Sequence, residues 1–576
     1  LIQQLQVVAN YSDGSKRDVT AWARYDSMDE AVLRVSPQGV VQTVGKGQGA
    51  AMVRFEGQAQ LVQVVVPYAE NVNLAGWVEN NFVDRLAADK FLQIGISPSG
   101  PCDDATFLRR AYVDAIGTLP TVEQARGFLD SSDPKKREKL IDELLGLTGD
   151  PAKDVHTDAY AADWALKWSD LLRSNSKTLG EQGMWALHNW LTAAFRTNKP
   201  FDQFVHDLVT ARGATYDNGP ANYYMALGNA DTLAEATSQL FLGVRMQCAR
   251  CHHHPFEAIS RRDHAELMSF FGQVRSKRAP NYGRLGGPPV IVVRTDAGKP
   301  PEKILNLATH AKPANGPLDR REILADWITA RDNPYFARNV VNRYVAYLLG
   351  HGLVEPIDDE RATNPPSNVE LMDALADDFV KHGHDVKHLL RTIMTSRLYQ
   401  LSATPTPANS ADSRFYSHFA VKRIGAEPLL DAIDAVTGVP TKFDRVPLGT
   451  RAIELPDAQY TNYFLSVFGK PKREAVCECE RVSDPNLAQA LHTLNSDVIA
   501  AKIGNAQGRV AKLIEAKKPP EQIVEELYLA ALSRRPSAAE QAECKKLLAE
   551  APNPPKSFYE DLAWSLMNSK QFLFVH

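Results

Sequence analysis

Residues 231–251 read DTLAEATSQLFLGVRMQCARC, and their apolar side chains recur every three or four positions before two cysteines. This spacing puts the apolar side chains on one face of an α-helix that ends close to Cys248. The same period runs through most of the chain from Gly76 onward. We therefore expect most of the protein to be helical. The apolar positions that set the period here are Leu233, Ala236, Leu240 and Val244.

The first 68 residues follow a different pattern. Leu5, Val7 and Ala9 alternate with polar residues, and a Tyr-Ser-Asp-Gly-Ser turn signal follows at residues 11–15. Short apolar runs separated by glycines and prolines continue to Pro67, at the spacing of a small β-sandwich. The wording YSDGS, DVT and VSPQGVV also resembles a bacterial immunoglobulin-like domain of the type 2 class. We predict a mainly α multidomain protein with an N-terminal all-β immunoglobulin-like sandwich over residues 1–68.

Length and composition exclude several classes of protein. The chain has 576 residues, too many for one hydrophobic core, so we expect three or four domains. Its 65 basic and 69 acidic side chains are nearly balanced, which gives no support for a nucleic-acid partner. No apolar run approaches the roughly 20 residues that span a bilayer, so we expect no transmembrane segment. We also find no Walker loop, no G-x-S-x-G and no H-E-x-x-H, which disfavours the common nucleotide enzymes and hydrolases.

A stretch with few helix-forming residues divides the helical part of the chain. Residues 276–318 are rich in Gly, Pro, Lys and Asn, and they contain one apolar run at residues 290–294 that predicts a strand. We expect a helical domain over 75–275, a connector with a small β element over 276–318, and a second helical domain over 319–576. Capping boxes are predicted at Thr121-x-x-Gln124 and at Ser537-x-x-Glu540.

The strongest chemical signal is Cys248-Ala-Arg-Cys251-His252, a C-x-x-C-H pattern. At this spacing two thiols can be joined to the vinyl groups of a haem while the next histidine ligates the iron. The pattern therefore predicts c-type haem, with Cys248 and Cys251 as thioether attachments and His252 as proximal ligand. The candidates for the sixth iron ligand in the same domain are Met225, Met268, His188 and His206.

The same residues also fit a structural zinc site, because thiolate and imidazole are the ligands that zinc prefers. Cys248 and Cys251 with His252 or His254 supply such a set, and Cys477-Glu-Cys479 could complete it. Haem and zinc remain alternatives at this point. The two other cysteines, Cys102 and Cys544, are expected to be inert.

A second polar stretch follows at Asp358-Asp359-Glu360. We interpret it as a solvated loop that leads to a helix N-cap at Ser367, with Glu370 completing a capping box. Coordination of a hard cation such as calcium is the alternative.

Longer stretches resemble two protein families. DDATFLRRAYVDAIGTLPT at 103–121 and QLFLGVRMQCARCHHHPFE at 239–257 are similar to the planctomycete cytochrome-type family DUF1549. Residues 333–400, CECERVSDPNLAQALHTLNSD at 477–497 and the closing WSLMNSKQFLFVH resemble its partner family DUF1553. Together the resemblance covers residues 75–576, and His254-Pro255-Phe256 matches an H-P-F pattern of the first family.

The resemblance implies an exported protein of the periplasm or the cell surface. Any export signal would then lie upstream of Leu1, and His576 is expected to be a natural C-terminus. We expect a c-type haem protein that transfers electrons to or from a partner oxidoreductase, or that engages a cell-surface component, with oligomerisation possible. The alternative is a cell-surface binding or assembly protein with structural zinc at the same cluster. The sequence assigns no catalytic residue and leaves open whether the protein is an enzyme.

Overall fold

The computed structural model describes residues 1–254, 257, 259–278, 287–294, 300–305, 307–308, 318–460, 462–477, 480–481, 497–550 and 555–576. Within these residues, strands occupy the chain up to Val66, and helices make up most of the chain after Val66. The predicted mainly α architecture with an N-terminal all-β domain is therefore confirmed.

The N-terminal domain is built from short antiparallel strands. They are β1 Ile2–Gln4, β2 Val8–Asn10, β3 Lys16–Asp18, β4 Arg24–Ser27, β5 Leu33–Val35, β6 Val40–Thr43, β7 Gly47–Phe55 and β8 Gln58–Val66. Two three-stranded sheets, in the orders β1-β6-β5 and β4-β7-β8, accompany the β2-β3 pair. Leu33, Val41 and Ala51 pack together in the buried core of this domain. Glu56 and Gly57 both have positive φ, as the tight turn between β7 and β8 requires.

The first helical region begins after residue 81. Its helices are α1 Phe82–Ile94, α2 Asp104–Ile116, α3 Val122–Asp130, α4 Lys136–Leu145, α5 Thr157–Leu171, α6 Ser176–Arg196, α7 Phe201–Thr210, α8 Asn222–Leu227, α9 Ala230–Thr237 and α10 Arg261–Phe271. The Thr121 side chain accepts from the backbone N–H of Gln124, and the Gln124 side chain accepts from that of Thr121. The capping box predicted at the start of α3 is confirmed.

A small sheet lies between the two helical regions. Its strands are β9 Gly213–Ala214, β10 Val274–Arg278 and β11 Pro289–Val293, in the order β10-β11-β9. The strand predicted at residues 290–294 is thus confirmed within one residue. A two-stranded element follows, formed by β12 Lys303–Ile304 and β13 Leu307–Ala308.

The second helical region runs from Arg320 to the end of the chain. Its helices are α11 Arg320–Ile328, α12 Phe336–Leu349, α13 Val369–Lys381, α14 Val386–Thr395, α15 Ala426–Thr437, α16 Tyr463–Val467, α17 Asp497–Ile503, α18 Arg509–Glu515, α19 Pro520–Leu532, α20 Ala538–Glu550, α21 Lys556–Met567 and α22 Lys570–Leu573. Ser537 and Glu540 form the second predicted capping box at the start of α20. Among the described helices, none is both long and apolar enough to cross a membrane.

The two helical regions share one hydrophobic core. A single cluster of buried apolar residues extends from Val83 in α1 to Val575, so the connector separates segments of sequence whose side chains pack together. The chain end contributes directly, because β14 Lys422–Arg423 pairs with β15 Phe574–Val575. Arg109 in α2, fully desolvated, donates to the carbonyl oxygens of Ala531 and Phe572.

Candidate functional site

The predicted helix before the cysteines is present and ends as expected. Helix α9 continues through a π-helical turn at Ser238–Leu242 and stops at Gly243, whose φ is +67°. A side chain at Gly243 would collide with Asn339 of α12, since an added Cβ would lie 2.8 Å from Asn339 Oδ1. Asn339 Nδ2 also donates to the Leu240 carbonyl oxygen at 2.7 Å. This close approach of α12 ends the helix and directs the chain into the cysteines.

Cys248 lies in a short 3₁₀-helix, Gln247–Arg250, and Cys251 follows at its end. Both thiols are free and exposed. The segment is anchored from below by Met246 and Ala249, which are fully buried. The cysteine–histidine segment, residues 248–254, therefore presents its two sulfur atoms to solvent from a fixed base.

His252 is exposed, and its Nδ1 lies 2.7 Å from the carbonyl oxygen of His253. In the tautomer that carries the proton on Nδ1, His252 donates to this carbonyl and keeps the Nε2 lone pair for a metal. A ligating histidine usually has its other ring nitrogen held in this way. His252 can therefore make, through Nδ1, the hydrogen bond that ligating histidines usually make.

The next two histidines have other contacts. His253 Nδ1 faces the backbone N–H of Arg261, the first residue of α10, at 3.3 Å. Burial lowers the pKa of His254, while the negative charge of Glu257 acts in the opposite direction. His254 and Glu257 line a cavity of about 370 Å³ together with Trp22 and other residues of the N-terminal domain. The β-domain therefore lies directly beside the cysteine–histidine segment.

Charged side chains connect the segment to α9 and α10. Arg250, between the two cysteines, lies 3.8 Å from Asp231 and 3.8 Å from Glu235. Glu235 also contacts His264 of α10, whose Nε2 is 3.2 Å from the carboxylate. These contacts hold the 3₁₀-helix between two longer helices.

The acidic stretch at 358–360 contacts the residues that lead to the cysteines. Asp358 is 5% exposed, and it accepts from Gln239 Nε2 at 2.6 Å and from Arg245 Nε at 3.1 Å. The backbone N–H of Glu360 donates to the Gly243 carbonyl oxygen at 2.7 Å. Our interpretation of this stretch as a solvated loop was therefore wrong, because its partners are distant in sequence and could not be recognised there.

The predicted helix cap after this stretch is also displaced by one residue. Asn368, rather than Ser367, caps α13, since its side chain accepts from the backbone N–H of Leu371. Ser367 instead donates its backbone N–H to the Leu353 carbonyl oxygen.

Among the residues that the structure describes, the predicted zinc ligands do not form a closed shell. Cys477 is disulfide-bonded, which leaves it no thiolate for a metal, and Cys479 lies outside the described residues, as do Pro255 and Phe256. In the part of the chain that the structure describes, three His, Cys, Asp or Glu ligand atoms converge within 4.8 Å at one place only. That place does not include Cys248, Cys251, His252 or His254.

The candidates for a sixth iron ligand have partners outside the cysteine–histidine segment. Met225 Sδ lies 3.5 Å from Ser276 Oγ, and His206 Nε2 lies 3.6 Å from Asp326. The His188 ring packs edge-on against Trp185. Met268 is partly buried against the common core.

A second cluster of ligand atoms was not predicted from the sequence. Asp378 and His382 at the end of α13 and His388 in the first turn of α14 bring one ligand atom each within 4.8 Å of the others. A sequence signal was present, because three histidines occur within seven residues at 382–388 and an aspartate precedes the first of them by four positions. We call this group the aspartate–histidine cluster.

Comparison with known proteins identifies both helical regions. Residues 82–276 match the model of PSCyt2, described as a protein of unknown function (DUF1549), and residues 320–548 match that of PSD1, also of unknown function (DUF1553). No curated protein and no solved structure matches the chain at a significant level. The chain belongs to the proteins that carry a PSCyt2 (DUF1549) region followed by a PSD1 (DUF1553) region, after an N-terminal β-domain that fits an immunoglobulin-like fold.

Proposed function

We propose that the chain is a c-type haem protein that acts in the periplasm or at the cell surface and exchanges electrons with a partner protein. Cys248 and Cys251 would hold the haem, and His252 would ligate the iron through Nε2. The observation that carries the proposal is the state of these three side chains. Two free thiols are exposed, and the adjacent imidazole has its Nδ1 at 2.7 Å from a carbonyl oxygen.

Haem attachment makes chemical demands that these residues meet. Each thiol adds across a vinyl C=C bond, so that sulfur bonds to one carbon and a hydrogen to the other, with no net oxidation. The thiols must be reduced and accessible, which excludes a Cys248–Cys251 disulfide. When bound, haem supplies a one-electron carrier whose potential is set by its axial ligands and surroundings. The contact between His252 Nδ1 and the carbonyl oxygen of His253 would fix the orientation of the ligating imidazole ring.

The surroundings suggest where a partner would bind. An attachment point on the surface favours electron exchange over a buried catalytic pocket. The β-domain lies beside this point, with Trp22 in the same cavity wall as His254. We place the redox partner protein or cell-surface component on this side of the molecule. The near-balanced charge of the chain agrees with a partner that is not a nucleic acid.

The geometry favours haem over structural zinc at the same residues. Tetrahedral zinc with bonds of about 2.0–2.3 Å requires ligand atoms within about 4 Å of each other. Thioether attachment has no such requirement, because the two sulfur atoms bind different positions of a large ring. Zinc at these residues is therefore the alternative result that the experiment below can detect.

The test is a visible spectrum of the protein made in a host that matures c-type cytochromes. We expect a Soret band that stays with the polypeptide after extraction with acid and organic solvent. The Cys248→Ser/Cys251→Ser variant should lose all covalent haem. The control variant His253→Gln should keep it, because His253 faces Arg261 and is not the proximal ligand.

Two results would overturn the proposal. One is a colourless protein that binds one equivalent of zinc more than the double cysteine variant does. The other is a haem band that extraction removes, since this would mean that no thioether bond forms.

A further inference from the structure

The turn between α13 and α14 brings histidines from two helices face to face. Gly383 and His384 both have left-handed backbone conformations, with φ of +67° and +58°. They end α13 and reverse the chain within three residues, after which Asp385 caps α14 by accepting from the backbone N–H of His388. The reversal stacks the rings of His382 and His388 at 3.6 Å between centroids.

The buried residue His384 anchors the turn to the core, so the stacked pair of His382 and His388 has a fixed position. The His384 ring is 4% exposed and packs against Phe336 and Phe379. Its backbone N–H donates to the Phe379 carbonyl oxygen at 2.9 Å, and its own carbonyl accepts from Phe201 at 3.0 Å. These contacts of His384 are apolar packing and backbone hydrogen bonds. They do not involve the ring nitrogens of His382 and His388.

Both imidazoles are directed at one carboxylate. His388 Nε2 lies 2.8 Å from Asp378 Oδ2, and His382 Nδ1 lies 3.3 Å from Asp378 Oδ1. His382 Nδ1 is also 2.8 Å from the Asp378 carbonyl oxygen. With the proton on Nδ1, His382 donates to that carbonyl and keeps a free Nε2 lone pair, the arrangement common in metal-binding histidines.

The ligand atoms of the aspartate–histidine cluster indicate which class of ion it would bind. Two imidazole nitrogens and one carboxylate oxygen suit zinc and the neighbouring divalent transition metals, whereas calcium and magnesium prefer all-oxygen shells. The side chains of Asp378, His388 and His382 are 20%, 30% and 47% exposed. An ion can therefore reach the cluster from solvent, and a fourth position remains open to water or to a small anion.

We propose that Asp378, His382 and His388 form a binding site for a divalent transition metal such as Zn²⁺, with an open coordination position. The adjustment needed is small. Ligand atoms in a tetrahedral shell with bonds of about 2.0–2.1 Å lie about 3.3 Å apart, so His388 and Asp378 must separate by about half an ångström. The ring of His382 must also turn, because Nδ1, and not the Nε2 that carries the lone pair, is the atom that lies 3.3 Å from Asp378 Oδ1. The site is separate from the cysteine–histidine segment and does not depend on haem.

The experiment measures Zn²⁺ binding by the full chain without a polyhistidine tag. The Cys248→Ser/Cys251→Ser background removes the soft ligands of the other segment, so zinc bound there cannot be mistaken for this site. We expect one equivalent of Zn²⁺ by calorimetric titration. His382→Gln/His388→Gln in this background should weaken binding by at least about 100-fold, more than the loss that indirect contacts to a metal site cause.

The matched control is His206→Gln. His206 also faces a carboxylate, Asp326 at 3.6 Å, but this pair is not part of any convergent group among the described residues. Its substitution should leave zinc affinity unchanged. The single variant His382→Gln changes a half-exposed side chain, so it keeps the test valid if the double variant folds poorly, and it should weaken binding by about 10-fold or more.

Two outcomes would overturn the proposal. If the thiol-free background binds no Zn²⁺, the cluster is only a solvated ion pair. If it binds Zn²⁺ equally well in the background and in both histidine variants, the ion occupies another place. Neither outcome affects the haem proposal, since the thiols are absent throughout.

Discussion

The cysteine–histidine segment and the aspartate–histidine cluster carry similar chemical groups, but one is recognisable in the sequence and the other only in the structure. The first is plain in the sequence as C-x-x-C-H, yet no three of its ligand atoms lie within 4.8 Å of one another in the described part of the chain. The second was not recognised in the sequence, yet its three ligand atoms converge. Covalent attachment depends on spacing along the chain, whereas coordination depends on positions in space.

The two regions also differ in what holds them. The stretch that leads into the cysteine–histidine segment depends on distant partners, because Gln239 and Asp358 are 119 residues apart in the chain. The aspartate–histidine cluster lies within 11 residues, and the turn between its two helices sets its geometry. Substitutions should therefore disturb the first region through tertiary contacts and the second only through its ligands.

The largest stability effect is expected at Asp358. The Asp358→Asn variant removes the charge that faces Arg245 and weakens the bond from Gln239 in a buried place. Arg245 is partly exposed and can regain water, so we expect a loss of about 2–3 kcal/mol in the free energy of unfolding. Calorimetric melting of the variant and the parent checks this. Asp326→Asn, at an exposed carboxylate, should change the same quantity by less than about 0.5 kcal/mol. Equal melting of both variants would mean that the distant contact does not hold the segment.

A smaller effect is expected from pH at His188. Burial, aided by the positive charge of Arg473, lowers the pKa of His188 to about 4. The unfolded chain has an ordinary histidine pKa of about 6.5, so between these values the unfolded state binds the proton and the folded state does not. The contribution of His188 is complete above pH 6.5 and is lost as the pH falls towards 4.

His188→Gln should therefore flatten the acid side of the stability curve. Between pH 7 and pH 5, we expect the parent to lose about 1–2 kcal/mol more than the variant. Denaturant titrations at several pH values measure the difference. Parallel curves would show that His188 takes up its proton as readily in the folded protein as in the unfolded chain.

Local signals made much of the fold predictable. Alternating side chains identified the β-domain, and the capping pairs Thr121–Gln124 and Ser537–Glu540 form as the sequence indicates. These patterns involve residues at most a few positions apart, so they persist whatever the rest of the chain does. The end of a helix a few residues before Cys248 was predictable for the same reason.

Long-range contacts and backbone reversals were not predictable. The burial of Asp358 depends on Arg245, which is 113 residues away, so the sequence suggested a solvated loop instead. The aspartate–histidine cluster requires left-handed conformations at Gly383 and at His384, and a histidine is an unusual residue for that region. Three histidines lie close together in the sequence, but only the turn shows that two of them stack while His384 is buried.

The smallest change in the free energy of unfolding is expected at His388, and it distinguishes a metal-binding role of the aspartate–histidine cluster from a structural one. A carboxylate–imidazole pair that water can reach contributes little to folding, since water competes for both partners, and the side chains of His388 and Asp378 are 30% and 20% exposed. In metal-free buffer, His388→Gln should therefore change the free energy of unfolding by no more than about 0.5 kcal/mol. With excess Zn²⁺, the parent should melt at a higher temperature and the variant should not, because an ion that binds only the folded state stabilises it. A loss of several kcal/mol without metal would instead make His388 a structural residue, and the contrast between the two regions would then disappear.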